Sequence, residues 1–338
     1  MKNLLQIFLV IFALGFIGAC SKDDNDPDGS SLNTHRVSQV TMNSGEGDVV
    51  RYVFSYQGDK LVQVMLYEKD DNENWIEQHK DVITYTGDKA TLICHQKEAG
   101  VWEMADKYEY VIQNGLMMEE LYFTLIDDAW INLSKWTYHY SNKRLTSWQS
   151  EHYDAESGAT LDVDKGENVY QNGKITEYKE YDSSDESEEW IQDDKILFSY
   201  SGDQLTGYME YELDGTENWE EYKKAELSYV GNLISQRVTY YWDSELSEWD
   251  EGNSIFYTYN SNGYLLTETD DEDRQYLYEY EAGNGNAKFF WVYPEEVMYR
   301  TPTLKSAGVK GNRMHIPYYQ RLKMEFSFGI ALNIPNQL

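Results

Sequence analysis

Cysteine is nearly missing from this chain: only Cys20 and Cys94 occur among 338 residues, too few for a disulfide framework. Basic charge is scarce too. Lys and Arg number 28 against 60 Asp and Glu, a formal net charge of −32, which repels nucleic acid and anionic membrane surfaces. Motifs of catalysis are absent as well. The six histidines, His35, His79, His95, His139, His152 and His315, are scattered, and no His-Glu-x-x-His, phosphate loop or nucleophile elbow occurs. With 60 acidic side chains, carboxylate pairs at glycosidase separation arise by chance, and no spacing selects one. The expectation is a non-enzymatic protein, with a glycoside-active enzyme as the remotest alternative.

Long apolar runs are limited to one at the start of the chain. Lys2 precedes apolar residues 4–16, and Ile17-Gly18-Ala19-Cys20 closes the stretch, the pattern of a signal peptide. The run is shorter than the ~20 residues that span a bilayer. Ile17 to Cys20 resemble a bacterial lipobox, which implies that Cys20 is lipidated and anchors the chain in a membrane. Ser21-Lys22-Asp23-Asp24-Asn25-Asp26 resembles the acidic export tag of surface-exposed Bacteroidota lipoproteins. That resemblance implies an outer-membrane lipoprotein exposed at the cell surface; a periplasm-facing location is the alternative. Residues 21–35 are polar and read as a flexible acidic tether. With Cys20 lipidated, Cys94 is the one thiol left and the fold must rest on packing alone.

What the chain does have is aromatic residues, 15% of the total with 30 Tyr and 10 Trp. Six tryptophans are each followed ten residues later by a strand-ending Tyr or Ile: Trp75/Tyr85, Trp102/Ile112, Trp130/Tyr140, Trp190/Tyr200, Trp219/Tyr229 and Trp249/Tyr259. The interval recurs at about 29 residues, the mark of a repeat array. In the unit from Trp190, residues Ile196, Phe198 and Tyr200 alternate with Lys195, Leu197 and Ser199; Gly202-Asp203 turns the chain, and Leu205, Met209 and Tyr211 return. Each unit is therefore a β-hairpin. Gly or Asn turns recur near residues 58, 87, 114, 142, 172, 202, 231 and 262, because hairpin turns need positive φ. Eight turns imply about sixteen strands in an all-β, antiparallel meander. A twist of about 20° per strand pair forbids a flat ribbon. The first expectation is an elongated, coiled sheet, and the alternative is a closed β-barrel. One unit has Leu161 where a Trp is due and should pack differently.

Simple alternation places Asp81, Asp106, Asp194 and Lys223 on the Trp face and Lys80, Lys107, Lys135, Lys195 and Lys224 on the other. Neither face then carries a continuous apolar band, so a membrane-spanning barrel is rejected. The five lysines, each five residues after a Trp, are expected to pair across strands with glutamates such as Glu177 or Glu210.

Units of tyrosine, Gly/Asn turn, leucine and returning aromatic strand resemble the YD or RHS repeat superfamily. More closely they resemble the Trp-bearing hairpin repeats of Bacteroidota lipoproteins. The resemblance implies a repeat fold over about residues 50–280 and names no activity. The chain lacks the Tyr-Asp-x-x-Gly-Arg core of RHS shells; Asn260-Ser261-Asn262-Gly263-Tyr264-Leu265 comes nearest. The expected organisation is a signal peptide at 1–20, a tether at 21–35, hairpin repeats at 36–281 and a capping segment at 282–338. From Tyr299 onward six basic residues meet one acid, Glu325, and this tail is expected to dock on the acidic body.

Candidate sites follow from the same pattern. Trp75, Trp102, Trp130, Trp190, Trp219 and Trp249 read as repeat-core aromatics, and Tyr178, Tyr208 and Tyr240 as strand aromatics available to a ligand. The acids ahead of each Trp, among them Asp70, Asp71, Glu73, Asp127 and Asp128, fall at one end of successive units. Ca²⁺ is the cofactor such stacked carboxylates would take, although a solvated acidic rim is the simpler reading. The functional expectation is a surface-anchored binding or scaffold protein engaging a glycan or a protein partner. A purely structural repeat protein is the alternative.

Overall fold

The computed structural model describes residues 35–282 apart from 44–48, 59, 71, 115, 143, 184–189, 203, 214–217 and 245. The signal segment with Cys20, the tether up to residue 34, and the segment beyond Ala282 with its basic tail lie outside the described residues. Six strands open the array: β1 (His35–Asn43), β2 (Val49–Gln57), β3 (Lys60–Lys69), β4 (Trp75–Thr86), β5 (Lys89–Glu98) and β6 (Val101–Gln113). Next come β7 (Leu116–Ile126), β8 (Ala129–Ser141), β9 (Arg144–Tyr153), β10 (Thr160–Gln171), β11 (Lys174–Ser183) and β12 (Trp190–Ser201). The array ends with β13 (Gln204–Leu213), β14 (Trp219–Val230), β15 (Leu233–Asp243), β16 (Glu248–Tyr259), β17 (Leu265–Asp270) and β18 (Gln275–Ala282).

Each strand pairs antiparallel with its chain neighbours, and β18 returns to β1, from His35 opposite Ala282 to Asn43 opposite Gln275. The meander closes into an eighteen-stranded barrel, the second of the two forms the sequence allows. The eight Gly/Asn turns join β2 through β17, and β1 and β18 zip the seam. Because the seam pairs, the array has no open edge for the segment from Ala282 onward to cap.

Two bulges in most hairpins set the curvature. One lies just past the turn, where an extra residue such as Thr146, Thr176 or Thr206 enters the return strand. The hydroxyls of these threonines donate to the carbonyls of His139, Val169 and Ser199 across the hairpin. The other follows a repeat Trp by three residues: Gln78, Ala105, Leu133, Asp193 and Tyr222 each have no partner of their own in the ladder with the preceding strand. Bulges bend the strands and raise their local twist, and such bending and coiling lets a long twisted sheet curl until its two edges meet.

The enclosed face carries the core. Tyr52, Leu66, Leu92, Tyr110, Tyr178 and Ile196 are almost fully buried there, in one cluster that runs around the sheet. Near the turns stands a ladder of tyrosines. The hydroxyls of Tyr56, Tyr85, Tyr140, Tyr170, Tyr200, Tyr229, Tyr259 and Tyr280 donate to the carbonyls of Val37, Leu61, Met117, Leu145, Ile175, Leu205, Ile234 and Leu265. Each rung ties one hairpin to the one before it at 2.6–2.9 Å. Ile112 has no hydroxyl, and its backbone N–H donates to the Asp88 carbonyl instead.

The barrel has two unlike rims. The tight turns form one, with positive φ at Gly58, Gly87, Asn114, Asn142, Asn172, Gly202, Gly231 and Gly263. Both ends of the described chain, His35 and Ala282, meet at this turn rim. The acid-rich connections ahead of the tryptophans form the other, the loop rim.

Candidate functional site

The bulge after each tryptophan decides what the outer wall presents. One extra residue between Trp and the lysine five places on brings both to the same face, where plain alternation separates them. Register makes this explicit: Trp102 lies opposite Lys97, and Lys107 opposite Ile93, on the outer side of β5. The result is a belt of ring and cation pairs near the loop rim. Arg51 sits 4.2 Å from the Trp75 ring centre, Lys80 4.6 Å from Trp102 and Lys107 5.5 Å from Trp130. Lys165 sits 5.0 Å from Trp190, Lys195 4.3 Å from Trp219 and Lys224 5.0 Å from Trp249. Tyr67, Phe123, Tyr181, Tyr211 and Tyr240 take the same cations on a second ring.

The six repeat tryptophans are therefore half-buried on the outer wall and stand apart from the buried core cluster. The expected lysine pairing also changes. Glu177 meets Lys179 and Glu210 meets Lys223, while the column lysines take Glu109, Glu119 and Glu226. Lys135, which finds Thr160 rather than a tryptophan at the corresponding register position, while Leu161 is left unpaired in a bulge, bonds Glu119 at 2.9 Å.

Of the tyrosines expected to meet a ligand, Tyr178 is 0% exposed and Tyr208 3%, both on the enclosed face. Tyr240 is half-buried outside, beneath Lys224. The mid-height of the wall is polar and charged, with Lys107, Glu109, Glu119, Lys135, Lys179 and Glu226 on outward positions. That composition is unsuited to a hydrocarbon layer.

The loop acids have a structural task. Asp70 accepts the backbone N–H of Asn72 and Asn74, Asp154 those of Glu156 and Ser157, and Asp270 those of Glu272 and Arg274. These bonds stabilise the ionised form and hold the carboxyls of Asp70 and Asp154 below the usual range. Glu73, Asp127 and Asp128 occupy positive φ in the connections. Asp71 lies outside the described residues. Among the described residues, no group of three or more His, Cys, Asp or Glu side chains is arranged to hold a metal ion.

Deeper inside runs a second polar layer. Asp81, Asp106, Glu120, Asp164, Glu180 and Glu268 are all under 5% exposed. Tyrosine hydroxyls satisfy several: Tyr122 donates to Asp106 at 2.9 Å, Tyr138 to Glu120 at 3.0 Å and Tyr178 to Glu180 at 3.3 Å. Burial, reinforced by these carboxylates, pushes the Tyr108, Tyr110 and Tyr138 phenols well above their ordinary range. Burial alone holds His79 neutral, its pKa pushed down to about 4.

The unit with Leu161 does pack differently. Leu161 is 57% exposed, whereas Trp136 and Trp148, which fall outside the repeat spacing, are 3% and 6% exposed on the inner face. Gly166 makes room for Trp148: a Cβ there would collide with its indole nitrogen and with the Tyr178 hydroxyl. Beside them Ser134 faces His152, whose Nε2 lies 3.7 Å from Asp164, and Ser150 donates to the same carboxylate at 3.3 Å. Serine, histidine and aspartate are thus gathered, but each is at most 6% exposed and the Trp136 ring packs edge-on against the imidazole. The set is built as packing. The sequence signal for this sector was the missing tryptophan.

No protein-family model and no curated protein matches the chain. Solved structures with similarity include a protein of unknown function from Bacteroides fragilis, 13% identical, covering 34% of this chain and 89% of its own, TM-score 0.32. A porin-like protein from Bacteroides vulgatus is 11% identical, covering 73% of this chain and 98% of its own, TM-score 0.40. The TcdB2-TccC3-Cdc42 structure is 10% identical, covering 72% of this chain and 18% of its own, TM-score 0.17.

Proposed function

We propose that this chain is a lipid-anchored, non-enzymatic scaffold or binding protein of the bacterial outer membrane, working through contact with a protein partner. The observation that carries the reading is the outer belt. Every repeat tryptophan already holds a lysine or arginine on its ring, so a pyranose would have to displace a cation to stack there. A protein surface can instead meet the belt as it stands, engaging ring edges, lysines and glutamates together. The lipidated Cys20 and the surface location belong to the same proposal and rest on the lipobox and the acidic tag. Both described chain ends leave the turn rim, so an anchor at Cys20 would leave the loop rim facing away from the membrane.

Two measurements test this. Tryptophan fluorescence of the chain from Ser21, titrated with a polysaccharide panel and with Ca²⁺, should show no saturable shift; a saturable shift with one glycan would replace the protein-partner reading with a glycan-binding one. For the location, Asp128→Cys in a Cys94→Ser background should react with a membrane-impermeant maleimide on intact cells. Labelling only after the outer membrane is opened would place the barrel in the periplasm.

A further inference from the structure

The loop rim between β4 and β8 carries an exposed apolar lip. Val101 is 61% exposed and Ile76 and Ile126 42% each, and the register sets all three on the face opposite the repeat tryptophans. They sit beside the two short connections at Ala99-Gly100 and Asp127-Asp128, flanked by the exposed acids Glu98, Glu103, Asp127 and Asp128. Such a lip is costly to leave in water and selects an occupant that is apolar and basic together.

The chain contains a segment of that composition. Residues 299–338 hold six basic residues against one acid, and Met324, Phe326, Phe328, Ile330, Leu332 and Ile334 place an apolar residue at every second position. The barrel span it would meet is strongly acidic, with 19 Lys and Arg against 53 Asp and Glu between residues 35 and 282. Reach permits the contact. From Ala282, at the turn rim beside β1, the lip lies one strand length away, about 33 Å, and about six strand spacings around, ~29 Å. The sixteen residues 283–298 can span about 53 Å, which exceeds the resulting diagonal of roughly 44 Å.

We infer that residues 299–338 dock in cis on the acid-flanked apolar lip formed by Ile76, Val101 and Ile126. The basic residues from Arg300 to Lys323 meet the rim carboxylates, and the alternating apolar residues after them cover the lip. The segment thereby occupies the end of the barrel opposite the one it leaves. This goes beyond the proposed function and does not depend on the anchor.

Zero-length carbodiimide cross-linking of the full chain, followed by peptide mass spectrometry, tests it. Lys305, Lys310 or Lys323 should join Glu98, Glu103, Asp127 or Asp128 within one molecule. In a mixture of isotopically light and heavy chains the cross-linked peptides should be all light or all heavy. Ile76→Ser with Val101→Ser and Ile126→Ser should lower the yield at least about threefold, as lost apolar contact requires, with the aromatic circular dichroism of the barrel unchanged. Cross-links to turn-rim acids such as Asp88, mixed light and heavy pairs, or a yield unaltered by the serine variant would each overturn the proposal.

Discussion

At the scale of single residues, burial and close approach do most of the specifying. Gly166 is glycine because Trp148 and Tyr178 cross its backbone. Gly166→Ala should therefore cost about 1–3 kcal/mol by overpacking, measured as a lower urea midpoint with an unchanged slope. His79 gives a pH signature. Its folded pKa of about 4 lies below the unfolded value near 6.5, so the unfolded chain binds the proton first as pH falls. Its contribution is fully present above pH 6.5 and is lost as pH falls through 4, up to about 3 kcal/mol. His79→Gln should flatten the dependence of unfolding free energy on pH between 7 and 4.5; an unaltered dependence would contradict the assignment. Neither residue was legible in the sequence. Gly166 lies away from any turn signal, and His79 is one of six scattered histidines until the Gln78 bulge turns it inward opposite Leu66.

At the scale of the hairpin, two devices repeat: the tyrosine rung and the bulge after tryptophan. Tyr200→Phe removes the 2.9 Å bond to the Ile175 carbonyl and should cost about 0.5–1.5 kcal/mol in chemical unfolding. Tyr240→Phe, outside the ladder, should change stability by less than about 0.5 kcal/mol. The bulge is tested by deletion. Removing Ala105 restores plain alternation in β6, so Trp102 must leave Lys80 and Lys97 for the other face; the expected result is a large fall in thermal midpoint together with a shift in tryptophan emission. Strands and turns were readable here, since alternation and positive-φ residues are local signals. The bulge was not, because an extra residue changes the partner strand's register and leaves the sequence period intact. That one omission put the tryptophans on the enclosed face with Asp81 and Asp106 instead of beside the lysines outside, and so produced the core assignment of the six tryptophans.

At the scale of the molecule, closure and charge dominate. The barrel span carries 53 acids against 19 bases, and self-repulsion of that charge opposes the folded state. Raising NaCl from about 0.05 to 0.5 M should raise the thermal midpoint as screening shortens the Debye length; a fall would contradict the electrostatic account. The hairpin count was legible from eight turns, but closure was not. It depends on β1 finding β18, an encounter between segments 245 residues apart, Arg36 to Glu281, that no local pattern encodes. Closure also fixes the two rims and hence which loops can face a partner. A cysteine pair across the seam tests it most directly: Thr41→Cys with Leu277→Cys, in a Cys94→Ser background, places two thiols at directly paired positions on β1 and β18. The closed barrel predicts an intramolecular disulfide that forms readily under mild oxidation in the monomer. Free thiols, or disulfides only between molecules, would mean that the array stays open.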